Sequence, residues 1–160
     1  MTIESFIDDF KEVYKGDPWS GISITKSLER IPWQDVNGKP ETERKSIAEI
    51  LLHIINWRIF VIAKIKENKP FTIRLNSQED WTPIVINSDA EWEQLLERLE
   101  ETQNIICSLL QGKSNYWFSE ITAGKPYTNA YMMRGIIQHD MYHLGQINGL
   151  NTRIINSSNN

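Results

Sequence analysis

The chain has 160 residues and a mass of 18.7 kDa, the size of one domain, and its 40% hydrophobic and 24% charged residues are ordinary for a globular fold. The net charge of −4 argues against a dedicated nucleic-acid binder, which carries a strongly basic surface. The single cysteine, Cys107, excludes an internal disulfide framework and a multi-cysteine zinc site.

Met1 to Phe10 carries Glu4, Asp8 and Asp9, so it does not read as a secretory signal. The longest apolar stretch, Ile47 to Ile65, is interrupted by Glu49, His53, Asn56, Arg58 and Lys64, so no membrane span is expected. The expectation is a cytoplasmic protein with one helical domain over 1–155 and a polar, disordered tail over 156–160.

In Thr2 to Tyr14, residues Ile3, Phe6, Ile7, Phe10, Val13 and Tyr14 fall on one helical face. The run Lys15-Gly16-Asp17-Pro18 stops that helix. Ser20 to Ile31 reads as a short second helix, with Ile24, Leu28 and Ile31 in register. Pro32 to Glu43 contains Asn37-Gly38 and Pro40 and reads as a loop.

Ser46 and Glu49 have the spacing of a capping box, opening a long helix from Ile47 to Lys66 with a broad apolar arc. Phe71 to Asn87 lacks helical periodicity and reads as a long connection with a short extended piece at Ile84-Val85-Ile86. The next long helix starts at Ser88 or Asp89, has an inner face of Trp92, Leu95, Leu96, Leu99, Ile106, Leu109 and Leu110, and is closed by Gly112. Asn115 to Tyr127 is another irregular connection. Thr128 or Asn129 caps the last helix, which runs through Ile147 and on toward Ile154. The pattern predicts an all-α, antiparallel four-helix bundle. Its middle connections are longer than up-and-down helices need, so they either cross the bundle or cover a site.

The chain has three histidines, His53, His139 and His143, and none falls in a loop. His53 shares its side of the helix with Ile50, Trp57 and Phe60. His139 and His143 are four apart, one turn from each other, on the face of Met132, Ile136, Gln146 and Leu150. Side chains four apart stand about 5–6 Å apart at Cβ, close enough for two imidazoles to converge on one ion. A third imidazole from a facing helix completes a three-nitrogen face, leaving the remaining positions to water or substrate. The competing reading is three hydrogen-bonded core histidines.

Known alternatives fail on spacing. Asp140 stands where a zincin needs Glu, and Glu49 precedes His53 by four residues where a di-iron bundle needs three. Cys107, among Ile105, Ile106, Leu109 and Leu110, reads as core. Asp140 lies about 100° around the helix from His139, awkward for direct ligation. Asp140, Tyr142 and Gln146 either support a histidine or make ordinary packing contacts. Trp19, Trp57 and the Tyr116-Trp117-Phe118 cluster are aromatic core or the mouth of a pocket. Gly145 and Gly149 would let another helix approach closely. No cation adjoins the histidine motifs in sequence, although Arg58 and Arg134 are within reach.

His139-Asp-Met-Tyr-His143-Leu-Gly-Gln-Ile147 closely resembles the HDxYHxGQI signature of the DinB-like family, which includes the YfiT-type metal-dependent enzymes. Ser46 to Trp57, with His53 followed by an aromatic one turn on, resembles that family's second-helix motif. Trp19-Ser20-Gly21 resembles its N-terminal Trp-x-Gly. The resemblance implies a four-helix bundle, often dimeric, with one divalent ion (nickel, zinc or iron) held by His53, His139 and His143. It implies a small-molecule substrate and, as in several relatives, transfer or isomerisation with a low-molecular-weight thiol. The alternatives are a metal-dependent hydrolase, or a non-catalytic bundle with a structural metal. The catalytic group stays unassigned beyond a water or thiol held at the three histidines, and the resemblance implies neither nucleic-acid nor membrane partners.

Overall fold

The computed structural model describes residues 2–40 and 43–158. It is all-helical: α1 spans Ile3–Lys15, α2 Ile24–Leu28, α3 Ile47–Ile65, α4 Asp89–Gln111 and α5 Asn129–Ser158. The second predicted helix is shorter than its pattern, because only Ile24–Leu28 closes regular turns. No strand forms at Ile84–Ile86; among the described residues the only β pairing is an isolated bridge between Ile121 and Thr128. The last helix continues to Ser158, so residues 156–158 of the expected tail are helical, while 159 and 160 lie outside the described residues.

The helix starts follow the capping chemistry of the sequence. Ser46 Oγ accepts from the Glu49 amide at 3.2 Å and a Glu49 carboxylate oxygen accepts from the Ser46 amide at 3.0 Å, so two orphan amides are satisfied reciprocally. Ser88 caps α4 through the Glu91 amide, and Thr128 caps α5 through the Tyr131 amide.

The core divides into two apolar clusters that reveal the helix directions. Phe6 and Phe10 of α1 pack with Val61 and Ile65 of α3, Ile106 and Leu110 of α4, and Met133 and Ile136 of α5. Tyr14, Ile47, Leu51, Leu95, Leu99, Ile147 and Leu150 meet at the other end. Helices α1 and α5 therefore run one way and α3 and α4 the other. The expectation of a purely antiparallel bundle is corrected at one point: α3 and α4, consecutive and in contact, are parallel. The reason is the connection between them. Helix α3 is 19 residues, about 28 Å long, and segment 66–88 must return over that length before α4 can start.

Both ends of this crossover are anchored. Lys64, buried in α3, donates from Nζ to the carbonyls of Asn68 and Lys69 at 2.9 and 3.0 Å. Gly124, at φ +71°, packs against Lys69; a Cβ there would stand 2.7 Å from the Lys69 carbonyl oxygen. At the far end Asn37 exchanges two hydrogen bonds with the Ile86 backbone, at 2.7 and 3.0 Å.

All four long helices meet at one buried cation. Arg58 of α3 is fully buried and donates to Asp140 of α5 from Nε at 2.9 Å and to Gln103 of α4 from Nη1 at 3.1 Å. Its guanidinium lies 4.9 and 5.4 Å from the ring centroids of Phe10 and Tyr14 of α1. This removes Arg58 from the residues available to a substrate, and Arg134 is on the exposed face of α5.

Candidate metal centre

His53 faces His139 and His143 across the α3–α5 interface. The ring centroids are 4.9 Å apart for His53–His139, 4.6 Å for His53–His143 and 4.4 Å for His139–His143. One ring nitrogen from each lies within 4.8 Å of the other two. Bonds of about 2.0–2.1 Å place ligands of one ion up to about 4.2 Å apart, so small ring rotations close the remainder. All three predicted site residues are thus brought together.

Hydrogen bonds orient two of the three rings. His53 Nδ1 lies 2.9 Å from the Asp80 carbonyl oxygen and 3.1 Å from Asp80 Oδ1. Both are acceptors, so Nδ1 carries the proton and Nε2 presents its lone pair inward. His143 Nδ1 donates to Gln146 Oε1 at 2.7 Å, leaving its Nε2 free in the same way. Gln146 is held in turn, donating to the Tyr142 hydroxyl at 3.2 Å. His53 Nε2 and His139 Nε2 sit 3.0 Å apart, which needs a proton or a cation between them. His139 Nδ1 is buried without a hydrogen-bond partner, its nearest carboxylate oxygen, Asp140 Oδ1, standing 3.8 Å away. Two nitrogens oriented as acceptors toward a third, with no carboxylate in the set, fit a borderline divalent cation.

Burial favours the neutral form of His143 and of His53. It pushes the His143 pKa down to about 4, and the neighbouring His139 adds to the effect. It also lowers that of His53, although the bond to Asp80 opposes the shift.

The crossover supplies the site residues that sequence reading missed. Asp80 accepts from Trp57 Nε1 at 2.9 Å and from the Asn76 amide at 2.7 Å, which locks it against His53. Trp81 stacks on the His53 ring at 3.9 Å and 8°. The available signal was general: a long connection in a small bundle. The particular residues belonged to no helical register. Segment 66–88 both crosses the bundle and covers the site.

Other candidates separate cleanly. Trp57 lies 5.8 Å from His139, whereas Trp19 is fully exposed. Trp117 and Phe118 are core, and Tyr116 is exposed. Cys107 is buried in the cluster around Phe6, hydrogen-bonded by Gln103, and burial raises its pKa. Gly145 and Gly149 do not admit a helix of this chain: a Cβ at Gly145 would meet nothing within 4 Å, and one at Gly149 only Arg153 of the same helix.

Two surfaces flank the centre. On the Trp81 side, Arg44, Lys45 and Arg153 line a groove with Gln146 and Leu150, and Lys45 Nζ stands 5.0 Å over the Trp81 ring. Arg153 pairs with Glu43 at 2.7 Å and Lys45 with Glu49 at 3.4 Å, while Arg44 has no ion-pair partner among the described residues. The cations that sequence proximity did not place beside the histidines are brought there by the fold. On the Trp57 side lies an apolar cleft that reaches His139.

The fold and site define a four-helix bundle with a three-histidine candidate metal centre between α3 and α5. The chain belongs to the DinB superfamily, whose family model matches residues 23–147, a stretch that includes all three histidines but begins after Trp19-Ser20-Gly21. No curated protein and no solved structure matches the chain.

Proposed function

We propose that this protein is a metal-dependent enzyme in which His53, His139 and His143 hold one divalent ion, nickel, zinc or iron, and that it transfers a low-molecular-weight thiol to a small-molecule acceptor. The observation that carries the metal reading is the inward convergence of the ring nitrogens, with the outer nitrogens of His53 and His143 committed to Asp80 and Gln146. When bound, such an ion supplies Lewis acidity and lowers the pKa of a thiol or water that coordinates it. The chain's residues orient the rings, and Trp81 shields one face of His53 from solvent. What supports a thiol cosubstrate is Arg44, which has no ion-pair partner among the described residues and lines the groove with Lys45, Arg153 and Glu43; such a cation suits the carboxylates that many small thiols carry.

Elemental analysis of tag-free protein tests the centre. About one divalent ion per chain is expected in wild type and none in His139→Ala; absence of metal together with no uptake on titration overturns it. Loss of thiol in the presence of an electrophile, dependent on the ion, tests the transfer. Turnover that proceeds equally without thiol would instead identify a hydrolase.

A further inference from the structure

A cleft of about 330 Å³ opens between α3 and the first half of α5. Trp57 and Phe60 form one wall, Tyr131 and Ile136 the other, and Leu75 of the crossover stands at the rim. His139 reaches into its lining, and its side chain is 23% exposed where that of His53 is 6% exposed. Gly135 also lines the cleft, and a Cβ added there would meet nothing within 4 Å. The space is therefore open where almost any other residue would narrow it. Leu75 and Tyr131 remain 71% and 62% exposed, an apolar rim that the chain itself does not cover.

We propose that this cleft binds the substrate on which the histidine centre acts, and that this substrate is an uncharged aromatic or branched aliphatic small molecule. The chemistry rests on the metal-centre reading above; the binding does not. Charge argues for an uncharged occupant. No lysine, arginine or carboxylate lines the cleft, so a charged group there would lose its hydration without gaining a partner. Arg44, Lys45 and Arg153 lie on the opposite flank, beyond Trp81; Lys64 and Lys125 stand 5.3 and 5.1 Å from the Phe60 ring centroid without lining the cleft, and both already donate hydrogen bonds within the chain. Size argues for a small molecule. Ligand pockets begin near about 300 Å³, so a ring system fits.

The test uses N-phenyl-1-naphthylamine, an uncharged dye whose fluorescence rises on leaving water. It is titrated into the wild-type chain, Gly135→Leu and Leu75→Asp, with metal content and melting temperature measured on each. Saturable binding is expected in wild type, weakened about tenfold or more by Gly135→Leu and several-fold by Leu75→Asp, with metal content and melting temperature retained. Leu75 is largely exposed, so the second variant keeps the test open if leucine at 135 disturbs α5. Equal affinity in wild type and the folded variants, or no saturable binding by wild type, would overturn the assignment. A dimer that Gly135→Leu converts to monomer, without dye binding by wild type, would give the cleft to a second copy of the chain and overturn it as well. Protein that takes up no metal yet loses dye binding in Gly135→Leu would sink the metal reading and leave the cleft established as a binding site.

Discussion

Gln146 acts on the centre at one remove, through His143. Its Oε1 accepts the Nδ1 proton at 2.7 Å and so holds the inward nitrogen as a lone-pair donor. Gln146→Leu removes that acceptor from an exposed position, so the fold should survive while zinc affinity measured by calorimetry weakens by about 10–100-fold. Titration gives a second expectation. The folded pKa of His143 is about 4, below the ordinary value of 6.5, so the unfolded chain binds the proton first. The stability of the metal-free protein is then full above about 6.5 and falls as pH drops toward 4, with His53 acting in the same direction. Urea melts of metal-free protein at pH 7.5 and pH 5 should show the loss, and His143→Phe should reduce it. Spacing alone made the histidines legible at this scale. Asp80 was not, because its role depends on a turn at Asn76–Asp80 that no periodic pattern announces.

Among the elements, α3 is where sequence and structure agree best. Its capping box, its length and its all-round apolar surface follow from local rules, and a helix in contact with both α4 and α5 must be apolar on most sides. Arg58 breaks that pattern, and only the partners explain it. The Arg58–Asp140 pair, 2.8 Å from Nη2 to Oδ2 and fully buried, ties the register of α3 to the turn of α5 that carries His139. Removing one partner strands a buried charge, so Asp140→Ala or Arg58→Met should each cost about 3–5 kcal/mol in denaturant melts. Arg58→Met combined with Asp140→Leu should cost much less than the sum of the single changes. Additive losses would mean that the pair is not coupled.

For the molecule as a whole, the two apolar clusters lie on either side of the histidine level and are built without it. The bundle should therefore fold without an ion, unlike a small domain organised by its metal. Chelation is expected to lower the melting temperature modestly and leave a cooperative transition. Loss of that transition would make the ion structural and remove the case for an open catalytic position. Among the described residues no helix is long and apolar enough to cross a membrane. The parallel α3–α4 pair was not legible because helix direction leaves no trace in periodicity. It follows from where segment 66–88 ends, and its length was the one hint.

The chain's local patterns determined the helices, their caps and the inward placement of His53, His139 and His143, because capping and the spacings of three and four residues act within a turn or two. The tertiary structure decided everything that joins distant segments. It set Asp80 and Trp81 against His53, turned Arg58 from a possible substrate contact into a buried strut, and brought Arg44 and Lys45 beside the centre. It also left Gly135 and Gly145 of α5 facing open space. These contacts join residues distant in the sequence, as His53 and His139 are at 86 positions apart, and their geometry is set by the path of the whole chain.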